Sequence, residues 1–389
     1  MAQPEWTVNH LEHDDSLIVT LRPEDLTFTL NKGENGPHTV NYNVSRSRNA
    51  IEPDFIGPYR TDFELLRDDD VIIAGMHTML GVNSDEEMAQ VAGKGWLHYL
   101  QRCFWPFNDT DFDAYVYGFG LVAPTLGDPF AGYAYSAVNQ EVMDIITDML
   151  TLVLSFDDTL PITHSLVSIS HDIEFFSIDL IDTESIYDKI VTLSQEDPGE
   201  FDFWVDNNKE FHRIAPRKYN VANVVSDEND DDIMHIFDSE VLDSGLHAVR
   251  FTNTGPDATW LLGYGASQSH DLADVRQYGP AITTYRRLMN IANFPGIITP
   301  ERVQRLTRKK LLFGLNPVHE ITIEVVTDRV ANFWTNISPG CAIWLKADLE
   351  AHVIDSAQEV VSIECTPDIS GNELAVLKLN QIYGADTIS

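Results

Sequence analysis

Short runs of alternating apolar and polar residues fill the first hundred positions of the chain. A period of two places successive side chains on opposite faces of a strand, so each run predicts a half-buried β-strand. Turn residues such as Gly, Asn, Asp and Pro separate the runs. Strands this short and this closely spaced indicate a small barrel or sandwich. The predicted strands are 16–21, 26–30, 40–44, 62–66, 71–75 and 87–92.

Two other segments show the helical period of 3.6 residues, in which apolar residues recur every three or four positions, and a third has the signals of a helix start. Pro106 ends the first helix, because proline has no N–H to donate within a helix. Thr299 and Pro300 suit the N-cap and the first position of the third helix. The predicted helices are 96–103, 138–156 and 301–310.

The second half of the chain repeats the order of strands followed by an inserted segment. A hairpin is predicted from 201–205 and 210–214, and further strands follow at 320–326, 341–347, 358–364 and 373–380. The predicted fold is therefore mainly β with α/β insertions. We expect a first β-barrel module at 1–105, an aromatic-rich α/β insertion at 106–190, a second β-barrel module at 191–219 and 311–389, and an acidic loop with an α/β insertion at 220–310.

The charge of the chain excludes two classes of partner. Lys and Arg number 25 and Asp and Glu number 61, which gives a net charge of −36. Such a chain would repel the phosphates of nucleic acid and the anionic surface of a membrane. Residues 1–240 hold 45 acidic and 13 basic residues, whereas 241–389 hold 16 and 12. The two halves are expected to face different surroundings.

Cysteine content and hydropathy indicate the compartment. Cys103, Cys341 and Cys365 are widely spaced and odd in number, which signals neither a disulfide framework nor a structural zinc site. The first residues lack the basic and then apolar order of a secretory signal, and no run of about 18 apolar residues occurs. We expect a soluble chain made in a reducing cytoplasm.

Motifs of catalysis are missing from the sequence. His319-Glu320 has no second His at the spacing of a zinc peptidase, and Gly263-Tyr-Gly265 lacks the third glycine of a dinucleotide site. The nucleophile elbow G-x-S-x-G and the phosphate loop are absent too. We therefore expect no enzymatic activity, no catalytic residue and no cofactor.

Two segments have a weak resemblance to metal sites. Asp227, Asn229, Asp231 and Asp238 have the spacing of a calcium loop, but Asp232 stands where the sharp turn requires Gly. A solvated acidic loop is the favoured interpretation, and calcium remains the alternative. His10 and His13-Asp14 could hold a metal, although surface histidines are more often without one. No resident metal is expected.

Two groups of residues are candidates for an interface. Aromatic residues crowd 104–135, among them Trp105, Tyr115 and Tyr117, and could form a sugar-stacking platform or an interface anchor, with core packing as the alternative. The helix at 301–310 carries Arg302, Arg305 and Arg308. In so acidic a chain this helix is expected to be the counter-charge of an acidic neighbour, and a solvated helix face is the alternative.

Several segments together resemble the tail hub proteins of long-tailed actinobacterial phages, which are often called minor tail proteins. The strand, glycine turn and short helix of 91–106 carry the resemblance, with Gly57-Pro-Tyr-Arg60, the segment 201–206 followed by Pro216-Arg217, and the Pro339-Gly340 turn. Gly95 departs from the pattern, since an acidic or amide residue is common there. Residues 107–135 are also longer than in a minimal hub.

The resemblance implies two related β-barrel modules of tail-tube type in each chain. Three chains would then present six barrels to the sixfold tail tube, at the distal end of the tail in the virion. The implied partners are two further copies of the chain, the distal tail and tube proteins, the tape-measure protein and other minor tail or fibre proteins. DNA would pass only as cargo through an acidic channel, and no membrane binding is implied. The alternatives are a tail-tip enzyme that degrades the cell wall and a carbohydrate-binding receptor module.

Overall fold

A computed structural model of the chain describes most of the strands and helices of both halves. The described residues are 4–45, 57–82, 88–103, 135–154, 162–164, 172–178, 184–194, 201–214, 228–230, 232–266, 272–279, 282–283, 286–294, 299–315, 317–350, 352–367 and 373–381.

Seven strands in the first hundred residues form one antiparallel run. The order of neighbouring strands is β3-β4-β7-β6-β5-β1-β2. The bounds are Trp6–Leu11 (β1), Leu17–Leu21 (β2), Glu24–Asn31 (β3), Thr39–Ser45 (β4), Asp62–Arg67 (β5), Asp70–Val82 (β6) and Met88–Gly95 (β7). The pattern of the sequence did not predict β1, because its inward-facing positions include a polar residue, the fully buried His10.

The first insertion builds a core of its own from helices and short strands. Its elements are α1 (Leu97–Arg102), β8 (Tyr135–Glu141), α2 (Val142–Leu154), β9 (Thr163–His164), β10 (Asp172–Ile178), α3 (Ile186–Ser194), β11 (Asp202–Val205) and β12 (Glu210–Ile214). Apolar residues of α1, α2 and α3 pack with Phe203 and Phe211 in one cluster. This core also includes Ala74 and Met76 of β6, so the insertion is anchored on the first run of strands.

Two predictions for this region differ from the structure. The helix predicted from 138 begins at Val142, because Val138 belongs to β8 and pairs with Phe175 of β10. The Glu141 carboxylate accepts the N–H groups of Met143 and Asp144, which caps the helix at that point. The hairpin β11–β12 forms as predicted, but it pairs with β9 of the first insertion and packs in that core, not among the strands of the second half. The remaining module boundaries stay a prediction.

The second half contains another run of strands and another insertion. Its elements are β13 (Ile233–Asp238), β14 (Leu246–Pro256), β15 (Trp260–Tyr264), β16 (Ala273–Gln277), β17 (Met289–Asn293), α4 (Pro300–Leu315), β18 (Pro317–Val326), α5 (Phe333–Asn336), β19 (Ala342–Asp348), β20 (Val353–Pro367) and β21 (Glu373–Gln381). The strands β15, β16 and β17 form a separate small sheet, and the others follow the order β14-β18-β21-β20-β19-β13.

The two runs of strands join into one sheet of 13 strands through β3 and β20. These two strands pair antiparallel, with Leu30 opposite Ile363 and Phe28 opposite Cys365. Buried side chains from both runs belong to one core cluster, from Val8 to Leu379. The structure confirms the predicted fold class, mainly β with α/β insertions, and shows that the two strand modules are continuous with each other.

In the part of the chain that the structure describes, no helix combines the length and the apolar character needed to cross a membrane.

Candidate assembly interface

The outer face of the β15–β17 sheet is apolar and exposed. Leu262 of β15 lies opposite Val275 of β16 and Ile291 of β17, so these three side chains form one row across the sheet. Trp260 and Met289 lie in a second row that ends in Gln277, and Tyr264 lies in a third row with Ala273 and Asn293. The exposed fractions of Val275, Met289 and Ile291 are 52%, 62% and 63%. We define the outer face as Trp260, Leu262, Tyr264, Val275, Met289 and Ile291.

The inner face of the same sheet packs against α4. Val303, Thr307 and Leu311 lie four residues apart on the helix and are buried, so they form the stripe that faces the sheet. The Thr307 hydroxyl donates to the carbonyl oxygen of Val303 at 2.7 Å. A Cβ at Gly263 would lie 1.9 Å from the Thr307 Oγ1 and 2.8 Å from the Phe294 ring. Glycine at 263 therefore allows the strand to approach the helix closely.

We expect Gly263→Ala to destabilise the sheet and helix of the second insertion by about 1–3 kcal/mol, because the added methyl group overpacks this contact. Urea denaturation measures the loss, and faster hydrogen exchange of the α4 amides would localise it. Gly279→Ala is the matched control, since a Cβ there has nothing within 4 Å. Equal stability of the two variants would contradict the close contact.

The structure divides the candidate interface residues into three groups. Arg302 is buried beside Val303 on the sheet side of α4, so it does not belong to the exposed basic surface of the helix. Arg305 and Arg308 are exposed on the other side. Trp105, Tyr115 and Tyr117 lie outside the described residues. An interface role for Arg305 and Arg308 stays a prediction.

A buried lysine connects three parts of the fold at the junction of the two modules. The Lys32 Nζ lies 2.8 Å from the Asp202 Oδ1 of β11 and 3.2 Å from the Glu359 Oε1 of β20. Glu34 adds a third carboxylate at 3.6 Å. Burial alone would lower the pKa of Lys32, but the three carboxylates outweigh it and raise this pKa above its usual value. Burial raises the pKa of Asp202 to about 6, although Lys32 opposes that shift.

A buried carboxylate forms the second connection between the modules. The Glu373 side chain accepts from the Trp6 Nε1 at 2.8 Å and from the Arg67 Nε at 3.0 Å. It also accepts from the Thr327 hydroxyl at 2.9 Å and from the Trp334 Nε1 at 3.3 Å. Glu373 is 1% exposed. One carboxylate thus holds β1 and β5 of the first module against the end of β18 and α5 of the second.

A chain of buried polar side chains lies inside the first module. The Tyr42 hydroxyl is 3.3 Å from the His10 Nε2 and 3.2 Å from the His77 Nε2. The rings of the two histidines stack with their centroids 4.6 Å apart. Burial lowers the pKa of His10 to about 2, with a further contribution from His77, and lowers the pKa of His77 to about 4. Both imidazoles are therefore neutral near pH 7, and His10 is a core residue instead of a surface ligand.

We expect the free energy of unfolding to fall less steeply with decreasing pH in a His77→Gln variant than in the unchanged chain. The unfolded imidazole takes a proton near pH 6.5 and the folded one near pH 4, so protonation favours the unfolded state in that window. Unfolding free energies of the two proteins, measured in urea between about pH 4.5 and 6, should differ in slope by about 1.4 kcal/mol per pH unit. Burial raises the pKa of Asp62 to about 6, so protonation of Asp62 favours the folded state in the same pH range. This contribution is the same in the unchanged chain and in the variant, so it cancels when their slopes are subtracted. Identical slopes would contradict the assignment.

Two groups with the chemistry of metal ligands have a local structural role. Among the described residues, Asp206, Glu210 and His212 are the group whose ligand atoms lie within 4.8 Å of one another. The Asp206 Oδ1 already accepts the backbone N–H groups of Asn208 and Glu210, so this group shapes the turn of the β11–β12 hairpin. The second half of the calcium-like segment, Ile233–Asp238, forms β13 and pairs with β19. A calcium loop of the EF-hand type lies between two helices, so this strand does not fit it. Asp227 and Asp231 lie outside the described residues.

The outer face was missed by the sequence analysis, although the sequence contains a signal for it. Trp260, Leu262 and Tyr264 alternate with other residues, as do Met289 and Ile291. Alternation predicts a strand with one apolar face, but it does not say whether that face is buried or exposed. The exposure depends on α4, which covers the opposite face of the sheet.

Comparisons with known proteins show the class of fold. No protein-family model matches the sequence, and no curated protein matches it. The 43 kDa tail protein of prophage MuSo2 from Shewanella oneidensis is similar in structure, with a TM-score of 0.64 at 10% identity over 99% of this chain and 100% of that chain. The tail protein of Neisseria meningitidis MC58 has a TM-score of 0.63 at 10% identity over 99% of each chain.

A third solved structure extends the likeness. Prophage tail protein gp18 from Listeria monocytogenes has a TM-score of 0.55 at 10% identity, over 98% of this chain and 97% of that chain. The chain therefore has, over its whole described length, a fold found in phage tail proteins. This agrees with the tail hub fold that the resemblance in the sequence implied.

Proposed function

We propose that this chain is a structural virion protein that forms the hub at the distal tip of a long phage tail. The observation that carries the proposal is the likeness in fold to the Shewanella and Neisseria tail proteins, which extends over nearly the full length of each. Both of those structures are of tail proteins. The site geometry supports a structural role, because the connected clusters around Lys32 and Glu373 hold two modules together.

The proposed assembly is a homotrimer that adapts a hexameric tail tube to threefold tip structures. Each chain contributes two strand modules within one continuous sheet, so three chains present six modules to the tube. Closed symmetry also covers strand edges such as β2 and β14, which end the sheet in each copy. DNA leaving the capsid would pass through the ring. A net charge of −36 per chain repels DNA, so the channel would conduct the genome without binding it.

The proposed partners follow from this position. The hub would contact the tube above it, the end of the tape-measure protein within it, and other minor tail or fibre proteins below it. Arg305 and Arg308, which are exposed on α4, are proposed contacts for an acidic surface in this assembly. The chain would be made in the cytoplasm of the host cell.

Labelling of the virion tests the proposal. Gold-labelled antibodies against the purified chain are expected to mark the far end of the tail in negative-stain micrographs. Antibodies against the major tube protein, which should mark the whole shaft, are the control. Label along the shaft, on the capsid, or absent from purified particles would overturn the proposed function.

A further inference from the structure

The outer face of the β15–β17 sheet is more apolar than a solvent-exposed sheet face needs to be. In this mixed sheet β15 pairs antiparallel with β16 and parallel with β17, and a sheet that packs one face on a core normally carries polar residues on the face that meets water. Here the exposed face carries Leu262, Val275 and Ile291 in one row, and Trp260 and Met289 in the next. Contiguous exposed apolar patches of this kind mark protein–protein contacts.

The insertion that carries the outer face is much less acidic than the rest of the chain. Residues 257–299, which include the three strands, hold 3 basic and 3 acidic residues, and residues 300–315 of α4, on the opposite face of the sheet, hold 5 basic and 1 acidic; the remaining residues hold 17 basic and 57 acidic. Arg286 and Arg287 are exposed at the border of the face. The Arg287 guanidinium lies over the Trp260 ring, 5.4 Å from its centroid. The face is therefore apolar with a basic border.

We propose that the outer face binds the acidic first half, residues 1–240, of a second copy of this chain. The inference rests on the trimeric hub of the proposed function and names the surface that would hold it together. That half carries 45 acidic and 13 basic residues. Its first module exposes carboxylates in turns and at strand ends, namely Glu12, Asp14, Asp15, Asp25, Glu34, Asp68, Asp69 and Asp70. Charge complementarity thus favours a neighbouring copy as the occupant.

The same charges select a head-to-tail contact over a twofold contact. In a twofold contact the outer faces of two copies would meet, and the basic borders with Arg286 and Arg287 would repel each other. In a head-to-tail contact each outer face meets an acidic surface, and every copy uses both surfaces once. Contacts of this type close into a ring when the rotation between copies allows it.

Sedimentation equilibrium of the full chain tests the surface. Ile291→Glu places a carboxylate in the middle row of the outer face and is expected to weaken association at least about tenfold. Leu242→Glu is the matched control, because Leu242 is 74% exposed and lies outside the face. Val275→Glu gives a second disruption, so that misfolding of one variant does not decide the result. Thermal unfolding temperatures confirm that the variants are folded.

Salt dependence tests the direction of the contact. Raising NaCl from about 50 mM to about 500 mM should weaken self-association of the unchanged chain, since salt screens attraction between opposite charges. Stronger association in salt would instead indicate the twofold contact and overturn the proposal. It would also be overturned by folded Ile291→Glu and Val275→Glu variants that associate like the unchanged chain, or by a chain that is monomeric at all concentrations.

Failure of this inference and failure of the proposed function give different results. Immunogold label at the tail tip combined with unaffected association of the variants would retain the hub and reject the surface. Weakened association of the variants combined with label elsewhere in the particle would retain the surface and reject the hub.

Discussion

Glu373→Ala is expected to lower the free energy of unfolding by about 3–5 kcal/mol, because it removes one member of a buried charged cluster. The Glu373 carboxylate accepts hydrogen bonds from Trp6, Arg67, Thr327 and Trp334. Without it, the two indole N–H groups, the hydroxyl and the guanidinium lose their common acceptor. Urea denaturation followed by far-UV circular dichroism measures the change.

The control for this prediction is an ion pair of similar type at the surface. Glu324 lies 2.9 Å from Arg250, whose side chain is 76% exposed, and Glu324→Ala should cost no more than about 1 kcal/mol. Glu373→Gln keeps the size of the side chain and one acceptor, so an intermediate loss is expected. A loss for Glu373→Ala no larger than that for Glu324→Ala would contradict a connecting role for Glu373.

Lys32→Met is expected to produce a loss of similar size, about 3–5 kcal/mol near neutral pH, because it leaves carboxylates buried without their cation. Lys32 is 6% exposed, and its partners Asp202 and Glu359 are 9% and 0% exposed. Methionine fills the same space as the lysine stem, so the loss would reflect charge and not a cavity. The measurement is again the free energy of unfolding in urea.

The pH dependence of this loss distinguishes an electrostatic cause from a packing defect. The pKa of Asp202 is already raised to about 6 by burial, and removal of Lys32 takes away the charge that opposes this shift. In the variant, Asp202 therefore binds a proton more readily when folded than when unfolded, and acid favours the folded state. The difference between the two proteins should shrink as the pH falls from about 8 to about 5.

A lysine that is 13% exposed and pairs with an exposed carboxylate provides the control for Lys32. Lys189 pairs with Glu184 at 2.7 Å, and the Glu184 side chain is 57% exposed. Lys189→Met is expected to cost no more than about 1 kcal/mol. A Lys32→Met loss that does not vary with pH would point to packing, and one as small as that of Lys189→Met would show that the junction does not depend on this cluster.

Both clusters could not be predicted from the sequence, for a common physical reason. Lys32 and Glu359 are 327 positions apart, and Trp6 and Glu373 are 367 positions apart. The local pattern around each residue shows only a charged residue in or beside a strand. These charged side chains are buried only because the fold packs strands from the two ends of the chain against each other.

Local features of the chain were predicted more accurately than these contacts. Alternation between turn residues located β4 and β21 to within one or two residues, because each presents a regular inward face to the core. It missed β1, whose inward positions include His10, and it assigned Val138 to a helix when the residue lies in β8. At both places a hydrogen-bonding partner elsewhere in the fold decides the structure, namely Tyr42 for His10 and β10 for Val138.

By itself the sequence determined that this chain is mainly β with α/β insertions, strongly acidic, and basic in one helix, because these properties depend on local periodicity and on charge. The tertiary structure alone decided that β3 pairs with β20, that the β11–β12 hairpin belongs to the first insertion, and that one apolar sheet face is left uncovered. Pairing between distant strands depends on which edges and faces the rest of the fold has already covered, and no local pattern contains that information.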